Sequence, residues 1–132
     1  MKTYLKLLLC MLPLSFTTVH AATIPAETWH CTLKDGKTMD DVRAISQAIG
    51  ELSVKNDDKD AQWIFMPFSG DIADSGRFIL MTGWQDFRTM GDGFQTFFAE
   101  GDGDDIYAKW NETVECSNRN FWTIEEIYNR ME

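Results

Sequence analysis

Thirteen residues, Trp29-His30-Cys31-Thr32-Leu33-Lys34-Asp35-Gly36-Lys37-Thr38-Met39-Asp40-Asp41, constrain the fold more than any other stretch, because they spell a strand, a turn and a helix start in succession. Trp29, Cys31 and Leu33 alternate with Thr28, His30 and Thr32, which predicts a half-buried strand over 27–33. Lys34-Asp35-Gly36-Lys37 is a turn. Thr38 offers a hydroxyl to the free N–H groups of a following helix, and Asp40 and Asp41 stand where the helix dipole favours negative charge. Val42, Ile45, Ile49 and Leu52 then recur at spacings of three and four, the apolar stripe of a helix running to about Val54.

Upstream, residues 1–21 have the order of an export signal. Lys2 and Lys6 precede an apolar run from Leu7 to Phe16, and Val19-His20-Ala21 supplies small residues for cleavage after Ala21 or Ala22. The run is too short to span a bilayer, which takes roughly 20 apolar residues. The whole chain carries 12 Lys+Arg against 21 Asp+Glu, a net charge of −9, and loss of Lys2 and Lys6 makes it two units more negative. Such a surface argues against nucleic acid or an anionic membrane as partner. Residues 22–132 contain no linker or internal repeat and are the size of a single domain.

Cys31 and Cys116 survive removal of the leader, and an even count in an exported chain reads as a disulfide. Closing a loop of that length is worth about 4–5 kcal/mol in the chain-entropy account. A pair of inert buried thiols is the rival reading. A redox pair lacks the Cys-x-x-Cys geometry that depresses a thiol pKa.

Further along, Gln62 to Phe68 is nearly all apolar and reads as a second strand, which should lie at an edge or end near Pro67, since that residue has no N–H to give a ladder. Residues 69–76 are a polar connection, and Arg77 to Trp84 a third strand. Asp86 caps a second helix with the stripe Phe87, Met90, Phe94, Phe97 and Phe98, in which Gly91 and Gly93 predict a break or kink. Residues 108–117 alternate Trp110, Glu112, Val114 and Cys116 against Asn111, Thr113 and Glu115, a last strand. The tail has two readings: Thr123-Ile124-Glu125-Glu126 has the form of a capping box, while Phe121 to Ile124 would also pair as a strand.

The resulting order β-α-β-β-α-β, over about ninety residues, is that of an α+β ferredoxin-like fold, an antiparallel sheet with two helices on one face. There the first and last strands are neighbours, so that Cys31 could face Cys116, and the second lies at an edge, where Pro67 is tolerated. The chain also resembles the dimeric α/β-barrel superfamily, and more nearly small exported bacterial proteins of unknown function. The resemblance rests on aromatic-x-Cys before Asp35 to Val42, the aromatic-rich second helix, and the late Val114-Glu115-Cys116, and covers residues 27–118. It implies a homodimer. Superfamily relatives include monooxygenases acting on haem or polyketide-like aromatics and haem-binding dismutases, but their helical histidine and Asn-Trp-His set have no counterparts here, so no residue role is carried over.

Strands two and three point large residues both ways: Trp63 and Phe65 oppose Ile64, Met66 and Phe68, and Phe78 and Leu80 oppose Ile79 and Met81. Each such side chain buried contributes about 1.5–3 kcal/mol. The face without helices therefore needs a cover: a second subunit first, with the C-terminal segment or an apolar ligand as alternatives. Among candidate site residues, His30 is the lone histidine after cleavage and the weak candidate for a base or haem ligand. The five tryptophans, Trp29, Trp63, Trp84, Trp110 and Trp122, could line a pocket for an aromatic ligand, with core packing as the rival account, and Trp63 and Trp84, with His30, are the leading candidates for an apolar ligand site. Residues 100–105 are acidic but miss the EF-hand spacing, and Asn111-Glu112-Thr113 matches a sequon by chance. No motif calls for a metal or cofactor. The leading expectation is a non-enzymatic exported domain that dimerises through the open sheet face and holds a small apolar ligand there. A cofactor-poor monooxygenase or haem-handling enzyme using His30, and a structural envelope protein, are the competing readings.

Overall fold

A computed structural model describes residues 23–70, 75–128 and 130; the proposed leader, residues 1–21, lies outside them. The elements are β1 (Thr23–Leu33), α1 (Met39–Lys55), β2 (Asp60–Phe65), β3 (Arg77–Trp84), α2 (Phe87–Phe94) continuing into a π-helical turn (Gln95–Ala99), α3 (Asp104–Thr113) and β4 (Val114–Glu125). The strands form one antiparallel sheet in the order β2-β3-β1-β4. First and last strands are thus neighbours and β2 is at an edge, ending two residues before Pro67.

α1 starts as its sequence dictates. Thr38 Oγ1 accepts from the Asp41 N–H at 3.4 Å, and the Asp41 carboxylate accepts from the Thr38 N–H at 2.8 Å, a reciprocal capping box. Val42 and Ile45 are buried by this helix. Asp86 caps α2 in one direction, accepting from the Thr89 N–H at 2.8 Å.

Three sequence expectations are corrected. The fold has three helices rather than two, because residues 104–113 are helical where a strand over 108–117 was expected. Asp104 and Asp105 are the acidic first turn of α3, and Ile106, Trp110 and Thr113, spaced by four and three, are its inward stripe, which outweighs the short alternation at 110–116. β4 accordingly begins at Val114 and takes in the tail, which settles the choice at residues 121–124 in favour of a strand. Gly91 and Gly93 do not break α2; the irregularity falls after them, in the π-helical turn. A Cβ on Gly93 would stand 3.4 Å from Trp84 Nε1, so the missing side chain lets the indole approach the helix.

All three helices cover one face of the sheet. Cys31, Phe78, Leu80 and Val114 from the strands meet Val42, Ile45 and Trp110 from the helices in the core. The Trp110 ring stands edge-on to Phe78 at 6.1 Å and to Trp29 at 6.4 Å. Cys31 and Cys116 lie opposite each other in register and are joined by a disulfide. Just beyond them the register shifts: Cys31 pairs with Cys116 but His30 with Asn118, leaving Ser117 as an extra residue in β4. A shift of one residue exchanges the sides to which all later side chains point. Arg119, which strict alternation from Cys116 would send to the far face, therefore lies opposite Trp29 on the helix side.

The far face is apolar too. Trp63 and Phe65 of β2 share it with Ile79 and Met81 of β3 and Trp122 of β4. Trp63, Phe65 and Trp122 are 43%, 50% and 53% exposed, and no described segment packs over them.

Candidate functional site

Between the helix layer and the sheet lies a cavity of about 90 Å³. Its floor comes from β1, which supplies Trp29, and β3, which supplies Leu80, Thr82 and Trp84. Its roof comes from α2 and the π-helical turn, where Phe94, Phe97 and Phe98 recur at spacings of three and four and so share a helix face. α3 closes it with Ile106, Tyr107 and Trp110. The roof is tightly fitted: a Cβ on Gly103 would fall 2.5 Å from the Phe97 ring, so no larger residue fits beneath that ring as placed.

Polar groups border this aromatic chamber at two ends. At one, Glu27 is buried and its carboxylate is ion-paired with Arg119. The Arg119 guanidinium lies 4.6 Å from the Trp29 ring centre, 5.2 Å from Phe121 and 5.5 Å from both Phe94 and Phe98. A cation amid four π-faces and one carboxylate is well satisfied, each desolvated ring being worth up to about 2 kcal/mol. At the other end, where α1 gives way to β2, stand Asp58, Asp60, Asn56 and Gln62. Asp60 accepts from Ser53 Oγ at 2.9 Å, and Gln62 Nε2 donates to Thr82 Oγ1 at 3.0 Å. Gln62 Oε1 and Asn56 Nδ2 are shielded from solvent with no hydrogen-bond partner among the described residues. Burial, followed by the neighbouring charges of Asp60, Asp92 and Asp57, holds the Asp58 carboxyl above the usual carboxylate range.

Of the candidate ligand-site residues, Trp84 borders this cavity, as do Trp29 and Trp110 from the wider set of tryptophans; the Trp84 ring stands edge-on to Phe94 at 5.3 Å. Trp63 lies on the opposite face of the sheet, over Gly83, whose Cβ would be 3.1 Å from the indole. His30 is on that opposite face as well, bordering a broad depression with Phe65, Met66 and Ile79. The structure thus separates Trp84 from the other two by the thickness of the sheet. Glu27 was within reach of sequence reasoning, since it stands in phase with Trp29, Cys31 and Leu33 on the inward side of β1. Arg119 was not, because Ser117 changes the phase before it. Asp58 and Asp60 fall in the polar run 56–60, which by sequence reads as a solvated loop ending α1, and only the helix roof above them makes them part of a chamber. Among the described residues, no group of three or more His, Cys, Asp or Glu is placed to hold a metal ion.

The fold is that of several solved structures, all remote in sequence. SnoaB from Streptomyces nogalater, a cofactor-independent oxygenase, superposes with a TM-score of 0.60 at 5% identity, over 83% of this chain and 100% of that one. A protein of unknown function from Bacteroides thetaiotaomicron, described as a possible oxidoreductase, gives 0.53 at 11% identity over 80% and 100%. A conserved protein from Methanosarcina mazei gives 0.54 at 8% identity over 80% and 95%. The likeness to these structures is one of fold alone, α+β with a four-stranded antiparallel sheet. No family profile matches the chain, and no curated protein matches it in sequence.

Proposed function

We propose that the protein is an exported, disulfide-bonded binding domain that pairs with a second copy through its open sheet face and takes a small, largely apolar ligand in the cavity under its helices. The observation that carries the reading is the cavity itself, walled by aromatic rings and bordered by a few shielded polar groups, the usual make-up of a small-molecule site. Its location favours a ligand in the interior of each subunit over one in the space between subunits. Pairing is supported by the uncovered Trp63, Phe65 and Trp122. Export is supported by the leader-like residues 1–21 and the disulfide; no described helix is long and apolar enough to cross a membrane.

Native mass spectrometry of the purified protein tests both parts. The expected spectrum is a dimer carrying up to one small molecule per subunit, and a bare monomer at micromolar concentration would overturn the proposal. A second reading, a cofactor-independent oxygenase, is favoured by one feature: Asp58, with its raised proton affinity, borders the cavity and is suited to act as a base, whereas His30 lies across the sheet. Oxygen uptake with phenolic substrates, abolished by Asp58→Asn, would replace the first reading by this one.

A further inference from the structure

The polar border of the cavity is one-sided in charge. Glu27, Asp58 and Asp60 are its ionisable carboxylates, no Lys, Arg or His borders it, and among the described residues neither Asp58 nor Asp60 has an ion-pair partner. Carboxylates facing aromatic walls are the surroundings that a cation with an apolar body satisfies best, because ring faces also carry negative charge. The molecule already contains one such arrangement. Arg119 sits on Trp29, Phe94 and Phe98 with Glu27 as counter-ion, and all four of these residues also border the cavity. The same wall therefore holds an organic cation on one side and continues, beyond the Arg119 cage, towards two carboxylates that have none.

These carboxylates are placed next to rings. Asp60 pairs with Trp84 across β2 and β3, and Asp58 Oδ2 lies 4.0 Å from the Cβ position of Gly93, the point that Trp84 Nε1 approaches to 3.4 Å. Gln62 Oε1, shielded and without a partner among the described residues, adds an acceptor in want of a donor at the same end, and the Asn56 Nδ2 amide adds its two N–H donors. A hard metal ion would need three or more converging ligands, an arrangement absent among the described residues. The volume, about 90 Å³, is below the roughly 150 Å³ that encloses benzene, so a ligand of one ring would be held with part of its body at the mouth.

We propose that the ligand of this cavity is a small organic cation, a protonated amine on an apolar body of about one ring, with its body against Trp84 and Phe94 and its charge towards Asp58 and Asp60. The inference rests on the cavity being a ligand site, as proposed above, and names the class of ligand. Isothermal titration calorimetry of the purified, disulfide-bonded protein with benzylammonium, benzyl alcohol and benzoate tests it, the three probes differing chiefly in charge. Benzylammonium is expected to bind about tenfold or more tightly than benzyl alcohol, a difference in the range of one charge-assisted hydrogen bond, and benzoate to give no heat. Asp58→Asn and Asp60→Asn should each weaken benzylammonium by about threefold or more while benzyl alcohol stays within about twofold, which excludes a general loss of folding. Benzyl alcohol or benzoate binding as well as the amine would overturn the cation and leave the cavity as an apolar site. Amine affinity unchanged in both variants would place the amine elsewhere and overturn the inference, and silence from all three probes would overturn the cavity reading with it.

Discussion

The two faces of the sheet carry similar numbers of large apolar side chains and treat them differently. Under the helices, Phe78 and Leu80 are 3% and 4% exposed, and Glu27, Asp60 and Gln62 are held there by an ion pair or hydrogen bonds. On the other side Phe65 and Trp122 stay half exposed, and the polar neighbours are simple ones, such as Thr28 Oγ1, which accepts from Trp122 Nε1 at 2.8 Å. One face is finished within the chain and encloses a chamber; the other is an unfinished core. Hydrophobicity alone does not tell them apart, since both read as alternating apolar strands. What separates them is whether charged groups are buried with purpose among the rings.

The sharpest way to break that contrast is to make the same substitution on each face. Phe78→Ala should cost about 3–5 kcal/mol in urea unfolding, as expected for a buried ring. Phe65→Ala should cost under about 1 kcal/mol per subunit and instead raise the dimer dissociation constant, read by analytical ultracentrifugation. Equal losses of stability from the two would mean that the open face is covered by the chain itself. Next in size is Arg119→Ala, which strands the buried Glu27 carboxylate. Because Arg119 is itself 37% exposed, the expected cost is about 2–3 kcal/mol, less than for a fully buried pair. Replacing both residues by Leu should recover most of that loss in a double-mutant cycle.

Gly103→Ala should be milder, about 1–3 kcal/mol from forcing the Phe97 ring aside. Its more telling effect is on the chamber, where altered near-ultraviolet circular dichroism and weakened ligand binding are expected without change in subunit association. The smallest effects concern pH. The Asp41 carboxyl is held below its ordinary value of 3.8 chiefly by the Thr38 N–H, and that of Asp86 chiefly by the Thr89 N–H. A lowered folded pKa contributes stability that is present above the unfolded value and lost as pH falls through the folded one. Both helix caps should therefore weaken below about pH 4, seen as acid-dependent loss of helical ellipticity that Asp41→Asn and Asp86→Asn reduce. Asp58 has the opposite sign. Its raised pKa means that its charged form is disfavoured in the folded state, so Asp58→Asn should slightly raise the unfolding midpoint at neutral pH.

How much of this was legible beforehand follows from the range of each interaction. The cap at Thr38, the stripe of α1 and the first three strands are written in residues close in sequence, and they were readable. The neighbourhood of β1 and β4 was readable too, because the two cysteines and the element order point to the same pairing. Residues 104–113 were misread because Asp104 and Asp105 look alike as a loop and as a helix start, and because Trp110 to Cys116 happens to alternate. Of the chamber, part of the aromatic wall was legible, since Trp29, Trp84 and Trp110 are among the candidate tryptophans, and most of the polar border was not. The chamber is assembled from α1, α2, α3 and three strands, and its polar members, Glu27 excepted, give no local sign of which side they will face.

The extra residue in β4 has one more consequence. Ser117 acts like punctuation in the strand: the text before it and the text after it are set to different beats, and it is there that the beat is reset. Removing Ser117 would let Asn118 follow Cys116 directly, still opposite His30, with Arg119 still beside Trp29. Removing Asn120 would turn the remainder of the strand over, sending Phe121 to the open face and Trp122 to the helix side. Length is thus negotiable at Ser117 and not three residues later, and homologous chains that differ by one residue are expected to differ there.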